Sequence, residues 1–446
     1  MLKTEVRNIE EGFRLTVLGS GYVGLPTAAL FATAGFDVTA VDINSVIVKN
    51  VNCGGSPIKE PGLQEIISHT VKCGKLKAAL ASNAALGGEE AIIVSVQTPI
   101  DKEKKPVLGF LMHAMGMVGK NLKKGMIVVI CSTIPPRTMT EKVKPLLESL
   151  SGLEADIDFY LAYVPERISP GKALNELVEN PRLVGGIGPN STKVAAELFR
   201  TICKRIIETD VTTAEIAKTA ENTFRDVNIA FTNQLALICE QHGADVTKVI
   251  KLANTHPRVN IHASGPGVGG PCLTKDPYLL THQSNHSNYN LIETARKIND
   301  NMPTHIVNLT LQALKKTGKD VKTSKIAILG TAYKADIDDS RCSPSEPIIK
   351  QLKTIGANLI TYDPHCKETF GAKKATSLSE AIKDKDCLII VTDHTEFKNL
   401  NLTEIKQDMQ PNPVIIDGKR ILNPQEAEKY CFTYYGVGYS KQKNQQ

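Results

Sequence analysis

Short apolar segments recur along the first half of the chain, separated by stretches in which apolar residues have helical spacing. The apolar segments lie at 14–18, 36–44, 91–99, 126–133, 158–166, 182–188 and 204–210. Segments of this length are typical of buried strands, and the intervening stretches are typical of helices. Because strands that alternate with helices form parallel sheets covered on both faces, the pattern predicts a doubly wound α/β domain over residues 1–210.

The pattern changes after residue 210. Segment 211–255 predicts a long helix followed by a shorter one, and a second helical pattern, punctuated by Pro303, covers about 287–316. Apolar segments then return within 325–345 and at 357–365, 386–394 and 413–420. We therefore predict two Rossmann-like doubly wound parallel-sheet domains, the second degenerate and covering 319–446, joined by a central helical domain over 211–318.

The first apolar segment is followed at once by GSGYVG, in which Gly19, Gly21 and Gly24 form a G-x-G-x-x-G pattern. Within the second apolar segment, the predicted strand ends in an acid, Asp42, about 20 residues further on. In this context glycines let the backbone approach a pyrophosphate, and the acid accepts hydrogen bonds from ribose hydroxyls. An acid there repels a 2′-phosphate, so NAD is predicted rather than NADP; the alternative is a βαβ unit without cofactor.

Polar residues at predicted strand ends and on one helix face are candidates for a site. Thr98, Thr133 and Glu166 end apolar segments, and the carboxyl ends of parallel strands line one crevice. Lys218 and Asn222 lie one turn apart on the long helix, with Arg225 on the same face. A lysine and an amide so placed can reach one substrate oxygen, although polar strand ends and a solvated helix face would look the same.

The segment SGPGVGGPCLTKDP at 264–277 surrounds Cys272 with glycine and proline and places Asp276 shortly after it. A thiol in a glycine-rich loop is well placed to act as a nucleophile, whereas most free cysteines are buried and inert. His256 and Arg258 precede this loop. Cations at or just after predicted strand ends of the second sheet domain suit a phosphorylated ligand; these are Lys334, Arg341 and Lys419.

Composition narrows the class of protein. The 446 residues are 41% hydrophobic and 22% charged, which is ordinary for a soluble globular protein. Their net charge of +6 is too weakly basic to indicate nucleic acid binding. The sequence contains no apolar run long enough for a membrane span. The ten cysteines include no CxxC pair and no zinc spacing. With a charged N-terminus unlike a signal peptide, we expect a reduced, cytoplasmic protein without a metal.

Short motifs along nearly the whole chain resemble those of the UDP-glucose/GDP-mannose dehydrogenase family, the nucleotide-sugar 6-dehydrogenases. In chain order these are GSGYVGLP, VDIN, PGL, the ST at 132–133, PER, AKTAEN, GPGVGGPCLTKD, GTAYKADIDDSR and YDP. The resemblance implies an NAD-dependent, four-electron oxidation of the C6 alcohol of a UDP-sugar in two steps, used in glycan precursor biosynthesis.

The resemblance also implies roles for individual residues. Cys272 would hold the intermediate aldehyde as a thiohemiacetal, which becomes a thioester and is hydrolysed to the uronate. Lys218 and Asn222 would stabilise the C6 oxygen as it gains negative charge. Asp276 would take part in proton transfer, and Glu166 would be the base for thioester hydrolysis.

Cofactor and substrate contacts follow from the same motifs. The expected NAD contacts, besides the three glycines, are Tyr22, Val23, Asp42, Thr98, Thr133 and Arg341. The expected substrate contacts, besides Lys218 and Asn222, are Arg167, Ile168, Arg225, His256, Arg258, Gly269, Tyr333, Lys334 and Lys419. In this family an arginine like Arg258 can come from the neighbouring subunit, so we expect a homodimer or a higher oligomer with the central helices as its dimer surface.

Several segments bear on the sugar. HPRVNI with GPGVGG, and PERISPG, resemble the branch acting on UDP-N-acetylmannosamine, with UDP-N-acetylglucosamine a close alternative. Pro170 replaces an acid of the UDP-glucose pattern, which weighs against UDP-glucose. Two other hypotheses stay open: a two-electron hydroxyacid-type dehydrogenase, which would not need Cys272, and a catalytically silent nucleotide-sugar binding protein.

Overall fold

A computed structural model describes residues 12–82, 86–283 and 290–439. Within these residues the chain forms two compact units. The first unit contains residues 12–221 and 278–283, and the second contains 222–277 and 290–439. The N-terminal segment judged unlike a signal peptide lies largely outside the described residues. The predicted domain boundaries at 210 and 318 stay a prediction.

The first unit is built on an eight-stranded sheet in the order β3-β2-β1-β4-β5-β6-β7-β8. Its strands are β1 Arg14–Leu18, β2 Asp37–Asp42, β3 Leu76–Leu80, β4 Ala91–Val94, β5 Ile127–Ile130, β6 Tyr160–Tyr163, β7 Arg182–Gly186 and β8 Ile206–Asp210. All neighbouring strands are parallel except β6 and β7. The predicted doubly wound sheet is therefore confirmed, with one antiparallel pair added.

The antiparallel pair has a consequence for the carboxyl edge of the sheet. Because β7 runs opposite to β6, the connection 164–181 starts and finishes at the edge where β1 to β6 end. Ligands of doubly wound sheets bind at that edge. The whole connection, which includes the predicted residues Glu166, Arg167 and Ile168, is thus placed there by topology.

Helices cover both faces of the first sheet and bury the apolar strand residues that predicted it. The helices before the long central one are α1 Gly24–Thr33, α2 Ser45–Asn52, α3 Leu63–Lys72, α4 Gly109–Asn121, α5 Lys144–Ser151, α6 Ala173–Glu179 and α7 Pro189–Arg200. One core packs Phe31 of α1 edge-to-face on Phe199 of α7, and the other buries Met115 of α4 and Leu147 of α5. A π-helical turn at Met139–Val143 leads into α5.

The predicted central helices are present. Helix α8 spans Val211–His242 and is followed by α9 at Val246–Ala253, whose N-terminus is capped by Asp245. A short helix, α10, covers Asp276–Thr281, and α11 runs through Asn290–Lys316 with Pro303 inside it. The proline predicted to punctuate this helix is accommodated without ending it.

The second unit contains a six-stranded parallel sheet in the order β11-β10-β9-β12-β13-β14. Its strands are β9 Lys325–Leu329, β10 Asn358–Tyr362, β11 Lys373–Lys374, β12 Cys387–Ile390, β13 Val414–Asp417 and β14 Thr433–Gly436. Its remaining helices are α12 Ser345–Ile355, α13 Leu378–Ile382, α14 Thr395–Lys398, α15 Leu402–Asp408 and α16 Pro424–Lys429. Apolar cores lie on both faces of this sheet, as predicted for a second Rossmann-like domain.

Candidate active site

The glycine turn after β1 is shaped by two of its three glycines and left open at the third. Gly19 has a φ of +96°, and a Cβ there would lie 2.3 Å from the carbonyl oxygen of Ser95. A Cβ on Gly24 would lie 1.8 Å from the carbonyl oxygen of Gly19, so both positions require glycine. A Cβ on Gly21 would meet no described atom within 4 Å. The first and last glycines therefore form the turn, and the middle one leaves space for a ligand next to the backbone.

Asp42 ends β2 beside this turn. Its Oδ2 accepts a hydrogen bond from the Ser20 N–H at 2.8 Å, and its Oδ1 accepts one from the Asn44 N–H at 2.9 Å. Each carboxylate oxygen has a second lone pair, so the half-buried acid can still accept hydrogen bonds from ribose hydroxyls. The turn and the acid together fit the pyrophosphate and ribose of a dinucleotide. Tyr22 and Val23, in the same turn, are also half-buried.

Two predicted strand-end threonines lie together at the carboxyl edge. The Thr98 hydroxyl donates to the Thr133 carbonyl oxygen at 2.6 Å. Next to them, the Ser132 hydroxyl donates to the Val96 carbonyl at 2.7 Å and accepts from the Val96 N–H at 2.9 Å. Hydrogen bonds from side chains to the backbone thus join the loops after β4 and β5. They hold both threonines next to each other at the carboxyl edge of the sheet.

Lys218 and Glu166 also come together in the first unit. The Lys218 ammonium donates to the Glu166 carbonyl oxygen at 2.7 Å and lies 3.5 Å from its Oε1. The Lys218 side chain is buried, with 6% exposed, and Glu166 is half-buried, so Lys218 does not lie on a solvated helix face. The ammonium thus brings a positive charge to the carboxyl edge of the first sheet, next to the connection after β6.

Arg167, a predicted substrate contact, is held by protein groups. Its guanidinium forms an ion pair with Glu221 of α8 and donates from Nη1 to the Pro181 carbonyl at 2.9 Å, while its own carbonyl accepts from the Asn180 side chain. The sequence indicates no role for Glu221, because it lies outside the row of Lys218, Asn222 and Arg225 on the long helix. Its role appears only when the fold brings α8 to the connection after β6.

In the second unit, Asn222 and Asp276 form a hydrogen-bonded pair next to the cysteine loop. The Asn222 amide donates to Asp276 Oδ2 at 2.6 Å, and Asp276 is fully buried. The Lys275 ammonium lies 3.3 Å from Asp276 Oδ1. The Cys272 carbonyl accepts from the N–H groups of Lys275 and Asp276, which closes a tight turn that leads from the half-buried thiol into α10. The acid, the amide and the thiol are therefore held in one local structure.

Two glycines of the cysteine loop are required by packing. A Cβ on Gly269 would lie 2.7 Å from the Tyr333 Cβ, and one on Gly270 would lie 2.7 Å from the Tyr333 ring. The Gly270 N–H also donates to the Arg341 carbonyl at 3.0 Å. The loop thus packs on the segment after β9, and the predicted residues Gly269, Tyr333 and Arg341 are brought together.

The predicted cations of the second unit differ in their surroundings. The Arg341 guanidinium makes a two-point contact with the Asp339 carboxylate, which raises the pKa of Arg341. The Lys419 ammonium lies 3.5 Å from Asp393, and Lys334 is exposed. All three follow strands β9 or β13, so they lie at the carboxyl edge of this sheet.

The segment that contains His256 and Arg258 is an ordered loop. Asn254 donates to the Ile261 carbonyl at 3.0 Å and accepts from the Ile261 N–H at 2.8 Å, which closes the loop. Within it, His256 and Arg258 are exposed, as is Arg225 on α8. Burial, followed by the charge of Arg225, lowers the pKa of His262 just beyond the loop.

Family models match three consecutive parts of the chain. The NAD binding domain of the UDP-glucose/GDP-mannose dehydrogenase family matches residues 13–203, its central domain 212–301 and its UDP binding domain 327–424. The chain belongs to the UDP-glucose/GDP-mannose dehydrogenase family. The predicted membership and the predicted cofactor, NAD, are thereby confirmed.

Relatives within this family are similar over nearly their whole length. The UDP-N-acetyl-D-mannosamine dehydrogenase of Pyrococcus horikoshii is 42% identical over 95% of this chain and 99% of the relative. A solved structure of UDP-D-ManNAc dehydrogenase from Pyrococcus horikoshii has a TM-score of 0.90 at 41% identity, over 96% of this chain and 99% of that one. The NDP-N-acetyl-D-galactosaminuronic acid dehydrogenase of Methanosarcina mazei has a TM-score of 0.85 at 38% identity, over 96% of each chain.

One group of side chains in the described residues has the spacing of a metal site but not its chemistry. Ligand atoms of Asp336, His365 and His394 lie within 4.8 Å of one another. His394 Nδ1 accepts from the Asp336 N–H at 2.9 Å, and Nε2 donates to the Asp363 carboxylate at 3.0 Å. Both ring nitrogens are therefore used within the protein, and we assign no metal to this group. No helix in the described ranges has the length and apolar character needed to cross a membrane.

Proposed function

We propose that this family member oxidises the C6 alcohol of UDP-N-acetyl-D-mannosamine to UDP-N-acetyl-D-mannosaminuronate. The proposal rests on the intact cysteine loop with its hydrogen-bonded Asn222–Asp276 pair, in a chain 42% identical to the UDP-N-acetyl-D-mannosamine dehydrogenase of Pyrococcus horikoshii. Bound NAD would accept one hydride in each of two oxidations, so each uronate formed would be accompanied by two NADH.

Cys272 is proposed as the nucleophile between the two oxidations. Its thiolate would add to the C6 carbon of the aldehyde and form a thiohemiacetal, which prevents the aldehyde from leaving. Loss of the second hydride from that carbon gives a thioester. Water then displaces the thiolate and gives the carboxylate, with Glu166 proposed as the base that takes the proton from water.

Lys218 and Asn222 are proposed to stabilise the C6 oxygen. Asp276 accepts one N–H of the Asn222 amide, which orients the amide and leaves its second N–H as a donor. The Lys218 ammonium supplies a positive charge that becomes more favourable as the alcohol loses its proton. We propose that Asp276 takes part in that proton transfer.

The remaining predicted contacts are carried forward as part of this proposal. For NAD they are Gly19, Gly21, Gly24, Tyr22, Val23, Asp42, Thr98, Thr133 and Arg341. For the UDP-sugar they are Arg167, Ile168, Arg225, His256, Arg258, Gly269, Tyr333, Lys334 and Lys419, in addition to Lys218 and Asn222. The family's UDP binding domain model over 327–424 supports a UDP-linked substrate.

We also propose that two copies associate through α8. Phe224, Phe231 and Ile238 are 61%, 54% and 46% exposed and recur every seven residues, so they form an apolar stripe along this helix. Exposed apolar stripes of this kind mark protein interfaces. Light scattering after size exclusion should give a dimer or larger, and Phe231→Glu should give a monomer; a wild-type monomer at micromolar concentration would contradict the proposal.

An NADH assay that compares UDP-sugars tests the proposed activity. We expect UDP-N-acetylmannosamine to give the highest kcat/KM against UDP-N-acetylglucosamine, UDP-N-acetylgalactosamine and UDP-glucose, with two NADH per uronate. Cys272→Ser should form no acid. One NADH per product, or full turnover by Cys272→Ser, would refute the thioester route and favour a two-electron dehydrogenase. Absence of NADH with all four sugars would favour a silent binding protein.

A second candidate substrate comes from the Methanosarcina mazei structure. That N-acetyl-D-galactosaminuronic acid dehydrogenase is 38% identical over 96% of this chain, close to the value for the Pyrococcus horikoshii structure. Preference for UDP-N-acetylgalactosamine in the same assay would replace the mannosamine assignment and leave the reaction unchanged.

A further inference from the structure

Carboxylates hold most of the segment 166–173, which follows β6 at the carboxyl edge of the first sheet. The Glu166 side chain accepts the Ile168 N–H at 2.8 Å, and Glu176 accepts the Ser169 N–H at 2.6 Å. Both acids are local to the segment. They fix its first half, which contains Arg167 and Ile168.

The second half of the segment is held by an acid from a distant part of the chain. Glu60 Oε2 accepts the Gly171 N–H at 2.7 Å, and Oε1 accepts the Ala173 N–H at 2.6 Å. More than a hundred residues separate these partners in sequence, and Glu60 is only 7% exposed. A buried carboxylate that accepts two N–H groups makes stronger hydrogen bonds than neutral acceptors do.

Glu60 lies close to the core of the first unit, and the segment that it holds has no side-chain cap of its own. Glu60 lies three residues before Leu63, the first residue of α3, and its carbonyl accepts the Leu63 N–H at 3.2 Å. Leu63 is fully buried in the core that also contains α1. Gly171 has a φ of +86°, and Lys172, which precedes α6, makes no side-chain cap. Glu60 therefore provides the N-terminal cap that α6 lacks locally.

We infer that Glu60 is a positioning residue for the sugar, acting by fixing the segment that contains Arg167 and Ile168. This inference rests on the proposed function, in which those two residues contact the UDP-sugar, and it assigns them to the sugar part of that ligand. Glu60 itself contacts only backbone N–H groups of the segment. Its loss should change sugar recognition without changing the NAD site, because the Gly19–Gly24 turn and Asp42 make none of these hydrogen bonds.

The test compares Glu60→Gln and Glu60→Ala with a control variant, Glu65→Gln. Glu65 is an exposed acid on α3. For each we would measure kcat, the KM for NAD and for UDP-N-acetylmannosamine, the thermal midpoint, and calorimetric affinities for UDP and for the UDP-sugar. Glutamine keeps one acceptor and presents an N–H to the other donor, whereas alanine removes both acceptors. Gly171→Ala is a second route to the same segment, because alanine is strained at its positive φ.

We expect the KM for the UDP-sugar to rise about tenfold in Glu60→Ala and less in Glu60→Gln, because charge-assisted hydrogen bonds to the segment are lost. The KM for NAD and the affinity for UDP alone should change less than about twofold. Gly171→Ala should show the same selective effect and Glu65→Gln none. A lower thermal midpoint with an unchanged KM for the UDP-sugar would reduce Glu60 to a structural cap and overturn the inference. Wild-type enzyme that oxidises none of the UDP-sugars would overturn the proposed function and, with it, this inference.

Discussion

Replacing Arg296 by methionine should destabilise the second unit strongly and in a pH-dependent way. Arg296 on α11 is 2% exposed and donates from Nη1 to Asp226 Oδ1 at 2.5 Å; Asp226 on α8 is fully buried. Asn299 donates to the same oxygen at 2.8 Å and to the Asp226 carbonyl at 3.0 Å. Methionine keeps much of the length of the side chain but leaves the carboxylate without its cation.

The magnitude follows from burial and distance. Unit charges about 4 Å apart attract by about 4 kcal/mol at an effective dielectric constant of about 20. Removing one partner of a buried pair typically costs about 3–5 kcal/mol, because the other charge stays buried. Burial already raises the pKa of Asp226, and Arg296 opposes that effect. Without Arg296 the folded-state pKa rises further, so the stability of the variant is greatest at low pH and falls as the pH rises through that pKa.

The free energy of unfolding in urea, followed by circular dichroism at pH 5.5 and pH 8, tests this prediction. We expect the Arg296→Met variant to lose about 3–5 kcal/mol at pH 8 and clearly less at pH 5.5. Lys297→Met, an exposed neighbour, is the matched control and should stay within about 0.5 kcal/mol of wild type. The double variant Arg296→Met/Asp226→Leu should recover most of the loss. A loss below about 1 kcal/mol, or no recovery in the double variant, would refute the reasoning.

Two other predictions concern the first unit. Burial raises the pKa of Glu215 to about 7, against backbone hydrogen bonds from Met139 and Arg137, so its contribution to stability is present below pH 4.5 and lost as the pH rises through 7. Thermal melts of both proteins across pH 4.5–8 should show that wild type loses about 3 kcal/mol of stability relative to Glu215→Gln; parallel curves would contradict this. Gly21→Ala should keep the thermal midpoint but weaken NAD binding about tenfold, as measured by calorimetry. Gly24→Ala should lower both the thermal midpoint and the affinity for NAD, because its Cβ meets the Gly19 carbonyl oxygen. Equal effects of the two would refute the assigned roles.

Local sequence patterns predicted the sheets well because their strands are buried on both faces. Strands β4 and β5 consist entirely of buried residues, and such continuous apolar runs are easily read. The observed strands end earlier than the apolar segments, so Thr98 and Thr133 lie in the loops after β4 and β5. Strands β3, β11 and β14 were not predicted. The two residues of β11 are exposed lysines, which give no apolar signal, and β3 and β14 contain only one and two buried residues.

The candidate site was predicted where its residues carry a local signal and missed where it depends on distant partners. The glycine turn and the cysteine loop are recognisable from their own residues. Glu221, Glu215 and Asn233 were assigned no role, because each acts on a segment far away in sequence. Asn233, for example, accepts the Gly265 N–H at 2.9 Å and donates to Asn299, which ties the start of the cysteine loop to α8 and α11. No periodicity or spacing reveals such a contact before the topology is known.

In both sheets the first strand lies between the second and the fourth strand, and an aspartate lies at the end of the second strand. The two aspartates have different uses. Asp42 after β2 accepts one N–H on each oxygen and is half-buried, so it retains acceptor capacity for a ribose. Asp363 after β10, the corresponding strand, accepts the N–H groups of Thr331, Ala332, His365 and Cys366 as well as His394 Nε2, and its side chain is 1% exposed. Burial raises the pKa of Asp363, but the hydrogen bonds from His394 and the backbone N–H groups outweigh this effect. The pKa of the carboxyl therefore lies well below its usual range. All its acceptor capacity is therefore used within the protein. The second sheet therefore cannot use this acid for a ribose, and it lies in the part of the chain that matches the family's UDP binding domain, residues 327–424, rather than its NAD binding domain.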